Sequence, residues 1–98
     1  MANREILRTE NVRVRIMELE PGGCTDLHTH TEVADFFVCL RGSIRVETRG
    51  PDGTTLLLPG GYAEVPAGRV HRCLNVHDDG SEYLLIQGVG AYDFRRAD

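Results

Sequence analysis

Lysine and tryptophan are both absent from this 98-residue chain, so all eleven basic residues are arginine. Without lysine there is no Schiff-base nucleophile and no phosphate-loop lysine, and two broad classes of chemistry fall away. Serine is nearly missing too. Only Ser43 and Ser81 occur, neither in a Gly-x-Ser-x-Gly frame, which removes serine-hydrolase chemistry. No basic cluster offsets the fifteen acidic residues, and the net charge is −4. Such a chain is a poor match for a phosphate backbone, so no nucleic-acid partner is expected. The longest apolar stretch, Phe36 to Leu40, is far short of the roughly 20 residues that span a bilayer as a helix, and no membrane association is expected. Met1 to Glu5 runs straight into charged sequence without an apolar signal core. Three cysteines, Cys24, Cys39 and Cys73, are an odd number without Cys-x-x-Cys spacing. Reduced thiols in a cytoplasmic protein, each serving as small buried filler, are the expectation.

The chain has the size of one domain, 1–98, with 41% hydrophobic and 27% charged residues, an ordinary globular balance. Its eleven glycines and four prolines recur as punctuation: Pro21-Gly22-Gly23, Gly42, Gly50-Pro51-Asp52-Gly53, Pro59-Gly60-Gly61, Pro66-Ala67-Gly68 and Asp78-Asp79-Gly80. Between these breaks lie short runs rich in Val, Ile, Leu, Phe and Thr, the spacing of an all-β sandwich or barrel. Eight or nine strands are predicted, near 12–18, 24–30, 35–41, 43–49, 54–58, 61–65, 70–77, 82–88 and 91–94, with no substantial helix. Ile44, Val46 and Thr48 alternate with Arg45, Glu47 and Arg49 as a dry and a wet face. Val12, Val14 and Ile16 likewise share one face, with Arg13 and Arg15 on the other. Asp52-Gly53 and Asp79-Gly80 both read as hairpin turns. Gly88-Val89-Gly90 follows a strand, but Asp93 stands where a dinucleotide fingerprint needs its third glycine.

His28-Thr29-His30 is the most informative tripeptide. On a strand, residues two apart project from one face, so both imidazoles can reach a single cation at about 2.0–2.2 Å. The surrounding frame sharpens this. Gly22, five residues, His28-x-His30, four residues, Asp35, six residues, Gly42 resembles the first motif of the cupin superfamily with one substitution. Gly60, five residues, Pro66-x-Gly68, two residues, His71, three residues, Asn75 resembles its second motif without a mismatch. The two span Gly22 to Asn75, just over half the chain. The resemblance implies a small single-domain cupin: an antiparallel β-barrel or jelly roll holding one divalent ion.

Carried over by position, the implied metal ligands are His28, His30, Asp35 and His71. Asp35 stands where the family usually has Glu, one methylene longer. Glu32, on the parity of His28 and His30, is the competing carboxylate, and without either a three-His site remains. His77, beside Asp78-Asp79-Gly80, reads as a solvated hairpin residue. Gly42, Gly60 and Gly68 fall where turns need positive φ, and Pro66 stiffens the entry to the strand carrying His71. If Asp35 points inward, so do Phe37 and Cys39; if His71 does, so do Cys73 and Asn75. The facing of Tyr62, Glu64, Tyr83 and Gln87 stays open.

Three His and a carboxylate suit Fe, Mn, Ni, Zn or Cu. The resemblance implies a metalloenzyme acting on a small organic substrate, with dioxygenase chemistry first and isomerase or lyase chemistry next. A non-catalytic small-molecule or metal-binding module is the alternative. An acid or base beside the metal would favour catalysis, and a wholly apolar wall would favour binding. Small cupins also imply a homodimer, for which the Val12, Val14, Ile16 face is a candidate unless it covers the chain's own core.

Overall fold

The computed structural model describes residues 2–97 and contains ten strands. They are β1 (Ala2–Arg8), β2 (Val12–Leu19), β3 (His28–Thr29), β4 (Ala34–Arg41), β5 (Ile44–Thr48), β6 (Gly53–Leu57), β7 (Tyr62–Val65), β8 (His71–Asn75), β9 (Ser81–Gly88) and β10 (Arg95–Arg96). Among the described residues no helix is long and apolar enough to cross a membrane. The strands form two five-stranded antiparallel sheets, in the orders β1-β2-β9-β4-β7 and β10-β3-β8-β5-β6. Backbone hydrogen bonds do not close the two sheets into one barrel. The architecture is the jelly-roll form of the expected all-β fold.

Alternation builds the core. On β4, Asp35, Phe37 and Cys39 are buried while Phe36 and Val38 are not; on β8, His71, Cys73 and Asn75 are buried while Arg72 and Leu74 are not. Ile44 and Val46 of β5 join the β8 residues on one sheet's inner side, and Tyr83 and Leu85 of β9 join those of β4 on the other. Full burial of each large apolar side chain contributes on the order of 1.5–3 kcal/mol. Five turn glycines with positive φ, Gly22, Gly42, Gly50, Gly60 and Gly68, punctuate this run. At Gly42 a side chain is excluded twice over: φ is +79°, and a Cβ would run into the Ser81 hydroxyl.

Several expectations need correction. On β2 the core side is the one carrying Arg15, Met17 and Leu19, whereas Val12, Val14 and Ile16 lie on the outer face of their sheet, half-buried. Asp79-Gly80 is not a hairpin, because β8 belongs to one sheet and β9 to the other. Asn75 holds this crossing. Its amide donates to the Glu20 and Asp79 carbonyls at 2.9 and 2.8 Å, and its oxygen accepts from the Ser81 hydroxyl at 2.6 Å. Of the predicted strand 24–30 only His28–Thr29 is regular, with one isolated bridge from Cys24 to Leu74. Residues 91–94 are irregular, and the final strand is Arg95–Arg96. β1 went unread because Arg4, Glu5 and Arg8 break its apolar pattern. It is an edge strand held only through β2. Cys39 and Cys73 are buried filler as expected, but Cys24 is exposed.

Candidate metal centre

β3, β4 and β8 deliver four side chains to one point. His28 of β3 sits directly across from His71 of β8, and His30 follows two residues later on the same side. Asp35 enters from β4 of the other sheet, so the cluster lies between the two layers. All four residues are buried, and one ligand atom from each lies within 4.8 Å of the others. Among the described residues this is the one such group of His, Cys, Asp and Glu. Glu32 stays outside it, exposed, where its Oε1 accepts from the Ala91 amide at 3.2 Å. The missing methylene of Asp35 is made up by its position: Oδ2 lies 2.8 Å from His71 Nε2 and 3.3 Å from His30 Nε2.

Each imidazole is oriented by its other nitrogen. His28 Nδ1 meets the Asp26 carbonyl at 2.6 Å, His30 Nδ1 the Asp93 carbonyl at 2.6 Å, and His71 Nδ1 the Arg69 carbonyl at 2.8 Å. A carbonyl oxygen only accepts, so in the neutral rings Nδ1 carries the hydrogen and Nε2 the lone pair. Three lone pairs and a carboxylate then converge on one small volume. Such an arrangement of acceptors is held together by a cation, either protons or a metal ion, and backbone-anchored imidazoles are the usual outer support of a metal site. The donor set therefore fits a divalent ion.

Electrostatics follow from burial and proximity. Burial pushes the His28 imidazolium down to about 4. Burial acts the same way on His30, but the hydrogen bond and charge of Asp35 outweigh it and hold His30 above the ordinary 6.5. Desolvation alone would raise Asp35, yet its bonds to His30 and His71 keep its carboxyl well below the usual carboxylate range. Burial raises the Cys73 thiol to about 12, so it remains a thiol at neutral pH. Because His28 is neutral above about 4 and His30 is held above its ordinary value, the proton on His30 competes with a metal near neutrality. In metal-free protein, the raised pKa of His30 adds stability that is fully present below 6.5 and fades as pH rises through the higher folded value. Metal-induced stabilisation is thus expected to grow from pH 5.5 to pH 8. Apparent affinity should weaken about tenfold per pH unit below the His30 pKa for that one proton. Melting scans with and without added zinc across this range check it, and a metal-induced shift independent of pH contradicts it.

The centre opens into a pocket of about 250 Å³. The open facings resolve here: Tyr83 and Gln87 point inward and are 1% exposed, whereas Tyr62 and Glu64 point outward. Gln87 Nε2 donates to Asp35 Oδ1 at 3.0 Å, and Gln87 Oε1 accepts from Arg15 Nη2 at 2.7 Å. His77, in contrast, is an exposed turn residue. Sequence reasoning missed several wall residues, Arg15, Tyr92 and Phe94 among them. Arg15 falls on the strand face that alternation marks as wet, and Tyr92 and Phe94 line the pocket from the irregular segment before β10. Phe94 stacks on His28 with ring centroids 4.4 Å apart, and Asp93 ties the segment to Thr31 through its amide and hydroxyl. The two-residue spacing of Tyr92 and Phe94 was the available signal.

A cupin-domain family model matches residues 15–87. No curated protein matches the chain. Among solved structures, a conserved protein with a double-stranded β-helix domain from Klebsiella pneumoniae aligns with TM-score 0.85 at 22% identity, over 99% of this chain and 84% of that one. A sugar phosphate isomerase of a cupin superfamily from Silicibacter pomeroyi aligns with TM-score 0.71 at 22% identity, over 90% and 69%. An oxalate oxidase aligns with TM-score 0.81 at 15% identity, over 89% of this chain but only 46% of that one. These likenesses are likenesses of fold.

Proposed function

The chain belongs to the cupin family, and we propose that within it the protein is a metalloenzyme that binds one divalent ion through His28, His30, Asp35 and His71 and acts on a small organic substrate. The observation that carries this reading is the convergence of three backbone-anchored imidazoles and one carboxylate, of which His28, His30 and Asp35 line a pocket. A redox-active ion there would supply chemistry with dioxygen, and a redox-inert one would polarise a bound oxygen. The chain's own residues do the rest. Gln87 and the His71 ring fix the Asp35 carboxylate, Phe37 and Leu85 keep one side of the pocket dry, and Phe94 packs over His28.

Dioxygenase action is the leading version, with isomerase or lyase action second. A non-catalytic binding module would suit a wholly apolar wall, but Arg15, Gln87, Tyr92 and Asn3 give this one polar groups. Iron-loaded protein is screened for oxygen uptake with small organic acids and sugars, and zinc- or manganese-loaded protein for isomerised or cleaved product. Metal-dependent turnover that disappears in His28→Ala supports the enzyme. Turnover that persists in fully metal-free protein counts against it.

The reading includes a homodimer in the cytoplasm, a compartment that suits three free thiols. The outer face of the β1-β2-β9-β4-β7 sheet supports the dimer. Two apolar rows cross it: Leu7, Val14, Ile86 and Phe36 in one, and Ile16, Leu84, Val38 and Tyr62 in the other. Tyr62 is 76% exposed, and an apolar surface of this extent is characteristic of an isologous interface. Light scattering is expected to return twice the 10.9 kDa chain mass, and Leu84→Arg the single mass. A parent that is already monomeric removes the dimer.

A further inference from the structure

Arg15 is 9% exposed and lines the pocket beside the metal-binding cluster. Among the described residues the only hydrogen bond of its guanidinium is from Nη2 to the neutral oxygen of Gln87, and Nε–H is buried without a partner. Among the described residues no carboxylate lies within ion-pair distance of its guanidinium. The neighbouring Arg13 differs, since its Nε meets Glu5 Oε1 at 3.2 Å. The Tyr92 ring, 5.8 Å from the Arg15 guanidinium carbon, gives some cation–π support but no counter-charge. A buried guanidinium with an orphaned donor is costly to keep, and tying down Gln87 would need only a neutral donor. The fixed charge is accounted for by an anion that arrives from solution.

We propose that Arg15 is the anchor for the carboxylate of a small organic acid, which is the substrate class of this pocket. A guanidinium edge matches the two oxygens of a planar carboxylate. Arg15 is the one arginine lining the pocket, which suits a monoanion better than a phosphate dianion beside Asp35 and Asp26. The volume, about 250 Å³, is below the roughly 300–1,000 Å³ of pockets for drug-sized ligands and limits the acid to a few carbons. Arg15, Gln87 and Asp35 are linked in one chain of hydrogen bonds, so an acid held at Arg15 presents its neighbouring oxygen toward the metal-binding cluster. Only that second contact rests on the metal reading; the carboxylate contact does not.

The test is calorimetric titration of zinc-loaded protein with lactate, lactamide and inorganic phosphate, in the parent and in Arg15→Gln. Lactate is expected to bind the parent about tenfold or more tightly than lactamide does, and Arg15→Gln to erase that preference while retaining zinc. A purely structural role for Arg15 would leave the acid-over-amide preference intact. The proposal is overturned if the parent does not bind lactate, if Arg15→Gln binds it equally well, if lactamide matches lactate, or if phosphate binds more tightly than lactate. Zinc uptake is scored first and separately. A parent that takes up no zinc refutes the metal centre, and the same preference is then read on the metal-free protein, where it still decides the role of Arg15. Should Arg15→Gln fail to fold, the preference of the metal-free parent for lactate over lactamide decides alone.

Discussion

Replacing His71 by Ala is expected to abolish stoichiometric metal uptake, lowering affinity by roughly 100-fold or more, since changes to the groups that merely orient ligands already cost about 10–100-fold. His71 is the link between the layers: its Nδ1 is anchored on the Arg69 carbonyl, and its Nε2 lies 2.8 Å from the Asp35 carboxylate of the opposite sheet. Removing the ring leaves His28 and His30 on one side and an unopposed buried carboxylate on the other. Asp35→Asn separates charge from packing, because it keeps the shape of the side chain and removes the anion. It too is expected to lose metal, while its thermal unfolding remains cooperative. Metal analysis of the purified variants after incubation with equimolar zinc gives the answer, and uptake equal to the parent's in either variant would remove that residue from the ligand set.

Gln87→Leu is expected to be the most damaging single change outside the ligands. The side chain is 1% exposed and both of its polar ends are used, accepting from Arg15 and donating to Asp35. Leucine fits the space and deletes both bonds, leaving a buried guanidinium without any hydrogen-bonded partner. A loss of about 1.5–3 kcal/mol follows from deleting a hydrogen bond to a buried charged group. Metal affinity should also fall by about 10–100-fold as Asp35 loses its brace. Urea unfolding at unchanged slope measures the first effect. The double variant Arg15→Met, Gln87→Leu should recover part of the lost stability, because the stranded charge is gone. A double variant no more stable than Gln87→Leu alone would show that the cost lies in packing.

The metal-binding cluster was legible because a strand repeats every two residues. His28 and His30 declare a common face, and the turn glycines fix the spacing from there to Asp35 and His71. The same period failed on β2. Its outer face, with Val12, Val14 and Ile16, is as apolar as its inner one, so alternation alone could not say which side is the core. Arg15 was read outward for that reason, and with it went the pocket's charge. Asp79-Gly80 failed differently: a Gly turn looks the same whether the chain folds back into its own sheet or crosses to the other. The crossing is held by Asn75 on the Glu20 carbonyl and by Ser81 on the Ser43 carbonyl, partners distant in sequence that local pattern does not display. Tyr92 and Phe94 were hidden because their segment takes its shape from His30, Thr31 and His28 and not from local pattern.

Anomalous scattering from a crystal of zinc-loaded protein, collected on either side of the zinc absorption edge, tests the central claim most directly. A single strong peak is predicted at about 2.0–2.2 Å from Nε2 of His28, His30 and His71, with the Asp35 carboxylate completing the shell. A map with no peak among these four side chains, or with its peak elsewhere on the molecule, would contradict the account.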